Sequence, residues 1–186
     1  MIILGSTSPR RKNLLNKITS DFKIIAPLFN EKTLPLSTKH YALEESYNKA
    51  KSLESKINKD DCLICVDTIV FYNNKIYGKP TSGIEATSFL NELSGHEHEV
   101  ISGYTIIYKN RIIKKEVISY VVFNKLNDEQ VCNYIKNVNV FDKAGSYSFQ
   151  DDKNYNLIKE TRGSTDNIMG FPTEKIKKDL IELGLI

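Results

Sequence analysis

Two stretches of the chain carry residue types suited to chemistry on a charged substrate. In Val66-Asp67-Thr68-Ile69-Val70 an acid and a hydroxyl interrupt an apolar run. An unpartnered buried carboxylate costs on the order of several kcal/mol. Asp67 is therefore expected to meet a metal, a cation or a substrate there, or else to mark an ordinary strand-to-turn junction. In Gly5-Ser6-Thr7-Ser8-Pro9-Arg10-Arg11 hydroxyls and two guanidinium groups crowd together near the start of the chain. Ser8 suits a helix N-cap and Pro9 the first helical turn. The N–H groups of a helix start, the hydroxyls of Ser6, Thr7 and Ser8, and the forks of Arg10 and Arg11 would together suit a phosphate. The same residues also describe a capped surface helix with solvated arginines.

Other candidates are weaker alone. Lys79, in Tyr77-Gly78-Lys79-Pro80, leads from a hairpin into a helix, while Lys49 sits in a helix and Glu31 in a polar loop. His96 and His98 follow Gly95, and their spacing does not complete a zinc ligand set. They read as loop or core packing. Gly145 in Asp142–Gln150, and the glycines of Gly163–Pro172, suggest close backbone approach in two loops.

The elements that must position these residues alternate strand and helix, which indicates an α/β class. Strands are expected at Ile2–Leu4, Phe22–Ala26, Cys62–Val66, Ile69–Phe71, Ile76-Tyr77, Val100–Tyr108, Ile112–Phe123, Tyr147–Phe149 and Tyr155–Thr161. Helices are expected from Pro9 to about Ile18, and from about His40 to Ser55 with a stripe of Leu43, Tyr47, Ala50 and Leu53. Ser82 with Glu85 reads as a capping box for a third helix that Gly95 stops. Asn127 and Thr173 are expected to cap two more.

A formal charge of +3 tolerates anionic small molecules but does not call for nucleic acid. No apolar run approaches the ~20 residues of a membrane span, and no basic-then-apolar leader precedes Ile2. Cys62, Cys65 and Cys132 are an odd set, which fits a reducing, cytoplasmic setting, and the first two, in an apolar run, read as core residues.

Read in order, several motifs converge. They are S-x-S-P-R-R at Ser6–Arg11, Glu31, Lys49-Ala50, D-T-I-V at Asp67–Val70 and G-K-P at Gly78–Pro80. L-S-G-x-x-H at Leu93–His98, D-K-A-G-x-Y at Asp142–Tyr147, Gly163-Ser164 and G-F-P at Gly170–Pro172 follow. The whole chain resembles the Maf family of nucleotide pyrophosphatases, the septum-formation inhibitor-like proteins.

That resemblance implies one domain over residues 1–186, an elongated mixed sheet with flanking helices in two lobes around a cleft, like inosine-triphosphate pyrophosphatases. It implies hydrolysis of a nucleoside triphosphate to the monophosphate and pyrophosphate with a divalent cation (Mg²⁺, Mn²⁺ or Co²⁺), often by a homodimer. Glu31 and Asp67 would hold the metal, and Asp67 would also be the base. Lys49 and Lys79 would complete the catalytic set, and Ser6, Ser8 and Arg11 would bind phosphate. Arg10, Thr68 and Gln150 resemble the branch acting on dTTP and UTP. The alternatives are the sister branch acting on 7-methyl-GTP and a non-catalytic nucleotide-binding regulator of cell division. The chain departs from many relatives at Asn30, where they have Asp, at Gly5, where they often have Ala, and in the charged Asp151-Asp152-Lys153 after Gln150.

Overall fold

Ile2–Leu4 form β1, buried along its length as expected of a strand flanked on both sides by parallel partners. Those partners are β2 (Phe22–Ile24) and β3 (Cys62–Tyr72), in register Ile2↔Phe22 and Ile2↔Cys62. Parallel neighbours need long connections. Here α1 (Pro9–Leu15) joins β1 to β2, and α2 (Tyr41–Leu53) with a 3₁₀ turn at Glu54–Lys56 precedes β3. The structure, a computed structural model, describes residues 1–28 and 39–186. Glu31 and Asn30 lie outside the described residues.

β4 (Lys75–Tyr77) folds back antiparallel on the end of β3. Asn73 and Asn74 make the turn with φ of 48° and 59°, the left-handed conformation that a tight hairpin asks of both central residues. α3 (Gly83–Leu93) leads to β5 (Glu97–Tyr108) and β6 (Arg111–Phe123). After α4 (Asp128–Asn137) and α5 (Asp152–Tyr155), β7 (Ile158–Arg162) pairs antiparallel with β6. α6 (Thr165–Ile168) and α7 (Thr173–Glu182) complete the chain. The seven-stranded mixed sheet runs β2-β1-β3-β5-β6-β7, with β4 on β3.

The described chain forms two compact units. The first comprises Met1–Thr68, Ser102–Val117 and Gly170–Ile186, and the second Ile69–Ile101 and Ile118–Met169. In the first, Ile3, Leu63, Cys65 and Ile107 pack with Ala50 and Leu53 of α2. There Asp179 of α7, 1% exposed, accepts from Tyr104 Oη at 2.7 Å and Lys115 Nζ at 2.5 Å, holding the last helix to β5 and β6. In the second, Phe89, Leu90, Phe123, Val131, Tyr134 and Tyr147 form a larger cluster.

The helix starts at Asn127 and the stop at Gly95 (φ 75°) follow expectation, and Asn127 and Gln130 form a complete capping box. Several expectations are corrected. β3 is unbroken through Asp67 and Thr68. The segment Tyr147–Phe149 is not a strand, because Gly145 and Ser146, with φ of 66° and 65°, turn the chain just before it. Tyr155 belongs to α5, which Asn156 ends at φ 54°. Thr173 is the first residue of α7 and not its cap; its hydroxyl donates to the Phe171 carbonyl. Only half of the Ser82 box forms, since the Glu85 carboxylate accepts from Thr81 instead. α1 ends at Leu15, and the expected α2 stripe is displaced as described below.

The thiols of Cys62 and Cys65 are pushed up to about 12 by burial, as fits core residues. Cys65 also accounts for Gly5. A Cβ at position 5 would lie 2.3 Å from Cys65 Sγ and 3.0 Å from Leu53 Cδ1. Gly5→Ala is expected to lower stability by about 1–3 kcal/mol, as overpacking does. Adding Cys65→Ala should restore most of the loss in urea unfolding.

His98, 2% exposed, bonds Tyr147 Oη through Nε2 at 2.8 Å and meets the Phe123 ring edge-on. Burial holds its imidazole down at about 4, against 6.5 ordinarily. The unfolded chain therefore binds this proton first. The stability His98 contributes as a neutral core group is present above about pH 6.5 and is lost as pH falls towards 4. The difference in urea midpoint between the natural protein and His98→Gln is expected to shrink or invert across that window.

Candidate active site

The last register pair of β1 with β3 is Leu4↔Ile64, and Gly5 extends the ladder by donating to the Ile64 carbonyl at 2.8 Å. The chain then turns away through Ser6–Ser8 into α1. In open α/β sheets, the carboxyl ends of strands are where ligands bind. Ser6, 5% exposed, accepts from the Ser8 N–H at 3.2 Å and from Arg11 Nη1 at 3.4 Å. Ser8 occupies the N-cap position, but its side chain makes no capping bond, so the expected cap is corrected: Ser6 serves its backbone instead. α1 is only 7 residues long, so attraction for an anion here rests on side chains more than on aligned peptide dipoles. Arg11 Nε donates to the Gly170 carbonyl at 3.0 Å, which fixes the guanidinium plane. Arg10, beside it in α1, is half-buried.

α2 turns an unexpected face inward. Its buried residues are Tyr41, Ala42, Glu45, Ser46, Lys49, Ala50 and Leu53, while Leu43 and Tyr47 of the expected stripe are only half-buried. Lys49, a weak candidate by its local sequence alone, is 5% exposed. Its Nζ lies 2.6 Å from Asp67 Oδ1, with side-chain exposures of 6% and 14%. Alternation along β3 puts Asp67 on the face of Leu63 and Cys65, which packs on α2. Such a buried pair contributes little net stability, because desolvation offsets the attraction. Ser46 Oγ is 2.9 Å from Thr105 Oγ1 along the same helix face. Glu45, 1% exposed, precedes Lys49 by one helical turn and was not expected inside.

Thr68 takes the opposite side of β3. Its Oγ1 is 2.9 Å from Ser102 Oγ and 3.4 Å from the Gly170 carbonyl. Gly170 adopts φ 96°. One carbonyl thus holds both Arg11 and Thr68. Gly170 was expected only as part of a loop of close backbone approach, and Ser102 was not singled out; its visible signal was a serine-glycine pair inside the apolar run of β5.

Within the second unit, Gly145 N–H donates to the Gly78 carbonyl at 3.0 Å, tying the Asp142–Gln150 segment to the loop of Lys79. Lys79 and Gln150 are exposed there. Lys143, 8% exposed, donates to Asp142 Oδ1 at 2.7 Å and to the Asn139 carbonyl. His96 stacks on Tyr72 with ring centres 5.3 Å apart. Among the described residues no group of three or more His, Cys, Asp and Glu could hold a metal.

A family model described as "Maf-like protein" matches residues 1–183. The chain belongs to the Maf family. It is 38% identical to a dTTP/UTP pyrophosphatase of Clostridium botulinum (strain Okra / Type B1), over 99% of this chain and 97% of that one. It is 35% identical to a dTTP/UTP pyrophosphatase of Clostridium acetobutylicum, over 99% and 98%. Among solved structures it matches the Staphylococcus aureus Ham1 protein with TM-score 0.50 and 13% identity, over 98% of each chain. That likeness is one of fold, in keeping with the inosine-triphosphate-pyrophosphatase-like α/β architecture expected from the sequence. In this Maf chain the described site thus joins a lysine–aspartate pair to a loop of hydroxyls and an arginine within one unit.

The Lys49–Asp67 pair yields a stability prediction. Lys49→Met alone is expected to cost about 2–4 kcal/mol by leaving Asp67 without its cation, whereas Lys49→Met with Asp67→Leu should recover most of it. Urea unfolding of the single and double variants checks this. A double variant less stable than the single would show that the pair itself stabilises the fold.

Proposed function

We propose that this protein hydrolyses dTTP and UTP at the α–β phosphoanhydride, releasing pyrophosphate and the nucleoside monophosphate. The observation that carries the reading is the Lys49–Asp67 pair, kept at 2.6 Å in a largely buried setting where it gives little stability. The dTTP/UTP preference is supported by the names of the relatives matched over nearly the whole chain.

In this reading Asp67 takes a proton from water at the carboxylate oxygen that Lys49 does not hold. The water oxygen bonds to the α-phosphorus, the bond to the bridging oxygen breaks, and pyrophosphate leaves. Lys49, Lys79 and Arg11 neutralise the charge developing on the phosphate oxygens, and Ser6 and Ser8 add hydroxyls. Arg10, Thr68 and Gln150 line the base or sugar. Hard carboxylate oxygens suit Mg²⁺, Mn²⁺ or Co²⁺, which typically take one or two carboxylates together with substrate phosphates. Asp67 fits that role, with Glu31 as its partner from outside the described residues, and the ion would supply further charge neutralisation. Residues 1–186 act as one domain, cytoplasmic and able to work as a homodimer, with no need of nucleic acid or membrane.

A nucleotide panel with each of the three metals tests the proposal. Pyrophosphate release from dTTP and UTP is expected, with Asp67→Asn slowing turnover by about 10²–10⁴. Release of orthophosphate would overturn the reaction type, equal turnover of 7-methyl-GTP the substrate branch, and nucleotide binding without release the enzyme itself.

A further inference from the structure

Among the described cations of the proposed site, Lys79 alone sits on neither a strand nor a helix. It lies exposed between the end of β4 at Tyr77 and the start of α3 at Gly83. A lysine carries its charge on a flexible four-carbon stem, so any precision in where the ammonium goes must begin at a fixed Cα. The backbone on both sides of Lys79 is fixed. Gly145 N–H donates to the Gly78 carbonyl at 3.0 Å. That carbonyl belongs to the peptide unit joining Gly78 to Lys79, and the unit is planar, so the bond that orients its oxygen also orients the Cα of Lys79. On the other side Pro80 is buried, and its ring keeps the Lys79 backbone out of the helical region.

Gly145 reaches Gly78 from a position open only to a residue without a side chain. It adopts φ 66° and ψ 11°. A Cβ there would lie 2.9 Å from Val70 Cγ2 and 3.1 Å from Val70 Cβ. Val70 is 3% exposed and pairs with Tyr77, the residue before Gly78. The glycine backbone thus rests on the last rungs of the ladder that leads to Lys79. Ser146 N–H donates to the Lys143 carbonyl at 3.1 Å, and the buried Lys143 Nζ donates to Asp142 and the Asn139 carbonyl, which holds the turn. All of these residues belong to the second unit.

We infer that Gly145 is a positioning residue for Lys79: its N–H, opposite Pro80, fixes the backbone from which Lys79 reaches the triphosphate. The inference rests on the proposed pyrophosphatase reading and deepens it, by naming the residue through which the Asp142–Tyr147 segment acts on the reaction. A side chain at position 145 must move the turn or Val70, and either movement draws the N–H away from Gly78.

The test measures kcat/KM for dTTP and the urea midpoint of Gly145→Ala and Pro80→Ala, each made in the natural chain and in Lys79→Ala. Lys79→Ala alone is expected to lower kcat/KM by about 10²-fold or more. With Lys79 present, Gly145→Ala should lower kcat/KM by about 10–100-fold and Pro80→Ala by about threefold or more. With Lys79 replaced, each should lower it by less than about twofold, because nothing is left to position. The urea midpoints should fall equally in the two backgrounds, so a loss of fold cannot imitate this pattern. Equal activity losses in the two backgrounds, or full activity in Gly145→Ala, would overturn the inference. Should Gly145→Ala fail to fold, hydrogen exchange at the Gly145 amide decides. Pro80→Ala loosens the Lys79 backbone and should speed that exchange by about fivefold or more. An unchanged exchange rate would overturn the role of Gly145. A Lys79→Ala protein as active as the natural one would remove Lys79 from the reaction and overturn this inference alone, whereas no pyrophosphate from any nucleotide would sink the pyrophosphatase reading and the inference with it.

Discussion

The ion pair between Lys49 and Asp67 places demands on everything around it. Its two members come from α2 and β3, and their charges meet at 2.6 Å with little solvent. That contact requires α2 to lie close along β3, with Glu45, Ser46 and Lys49 turned inward where an ordinary amphipathic helix would turn leucines. The closeness extends to the next strand. Cys65, two residues before Asp67, fills the space beside Gly5, so a side chain at residue 5 would crowd the exit of β1 into the Ser6 loop. Polar burial at one point thus dictates packing at the next.

A second constraint sits on the other side of β3. The Gly170 carbonyl receives Arg11 and lies within reach of Thr68, and the positive φ of Gly170 sets the direction in which that carbonyl points. An arginine is suited to this, because its rigid fork engages the carbonyl through Nε and Ser6 through Nη1. A lysine has no comparable geometry. The segment before α7 therefore takes part in the site although it carries no acid, base or nucleophile. Asp179 anchors that helix from the far side by accepting from Tyr104 and Lys115.

Much of the architecture was legible from local pattern. Apolar runs marked β1, β5 and β6, and Asn127 with Gln130 marked a helix start, because capping and alternation are properties of a few neighbouring residues. The misreadings have equally local causes. Tyr147–Phe149 has strand-like residues but follows two left-handed positions, which prevents it from pairing. The supposed break at Asp67 was no break, because a strand tolerates an acid wherever a neighbouring element supplies a cation. The stripe assigned to α2 shares Ala50 and Leu53 with the buried face, but the helix also turns Glu45, Ser46 and Lys49 inward and leaves Leu43 and Tyr47 half-buried.

By itself the sequence determined the α/β class, most element positions and, through the order of its motifs, membership of the Maf family. It also pointed to Asp67, Arg11 and Ser6 as polar residues in places where polarity needs a reason. Only the tertiary structure decided which cation answers Asp67, that Lys49 is buried, that Ser6 and not Ser8 serves the loop, and that Ser102 and Gly170 lie within hydrogen-bond reach of Thr68. The physical reason is one of range. Periodicity and capping are encoded within a turn or two of chain, so they show which side of an element seeks burial. They carry no information about which distant element will cover that side, and a hydrogen bond across 34 or 159 residues exists only once the chain has folded.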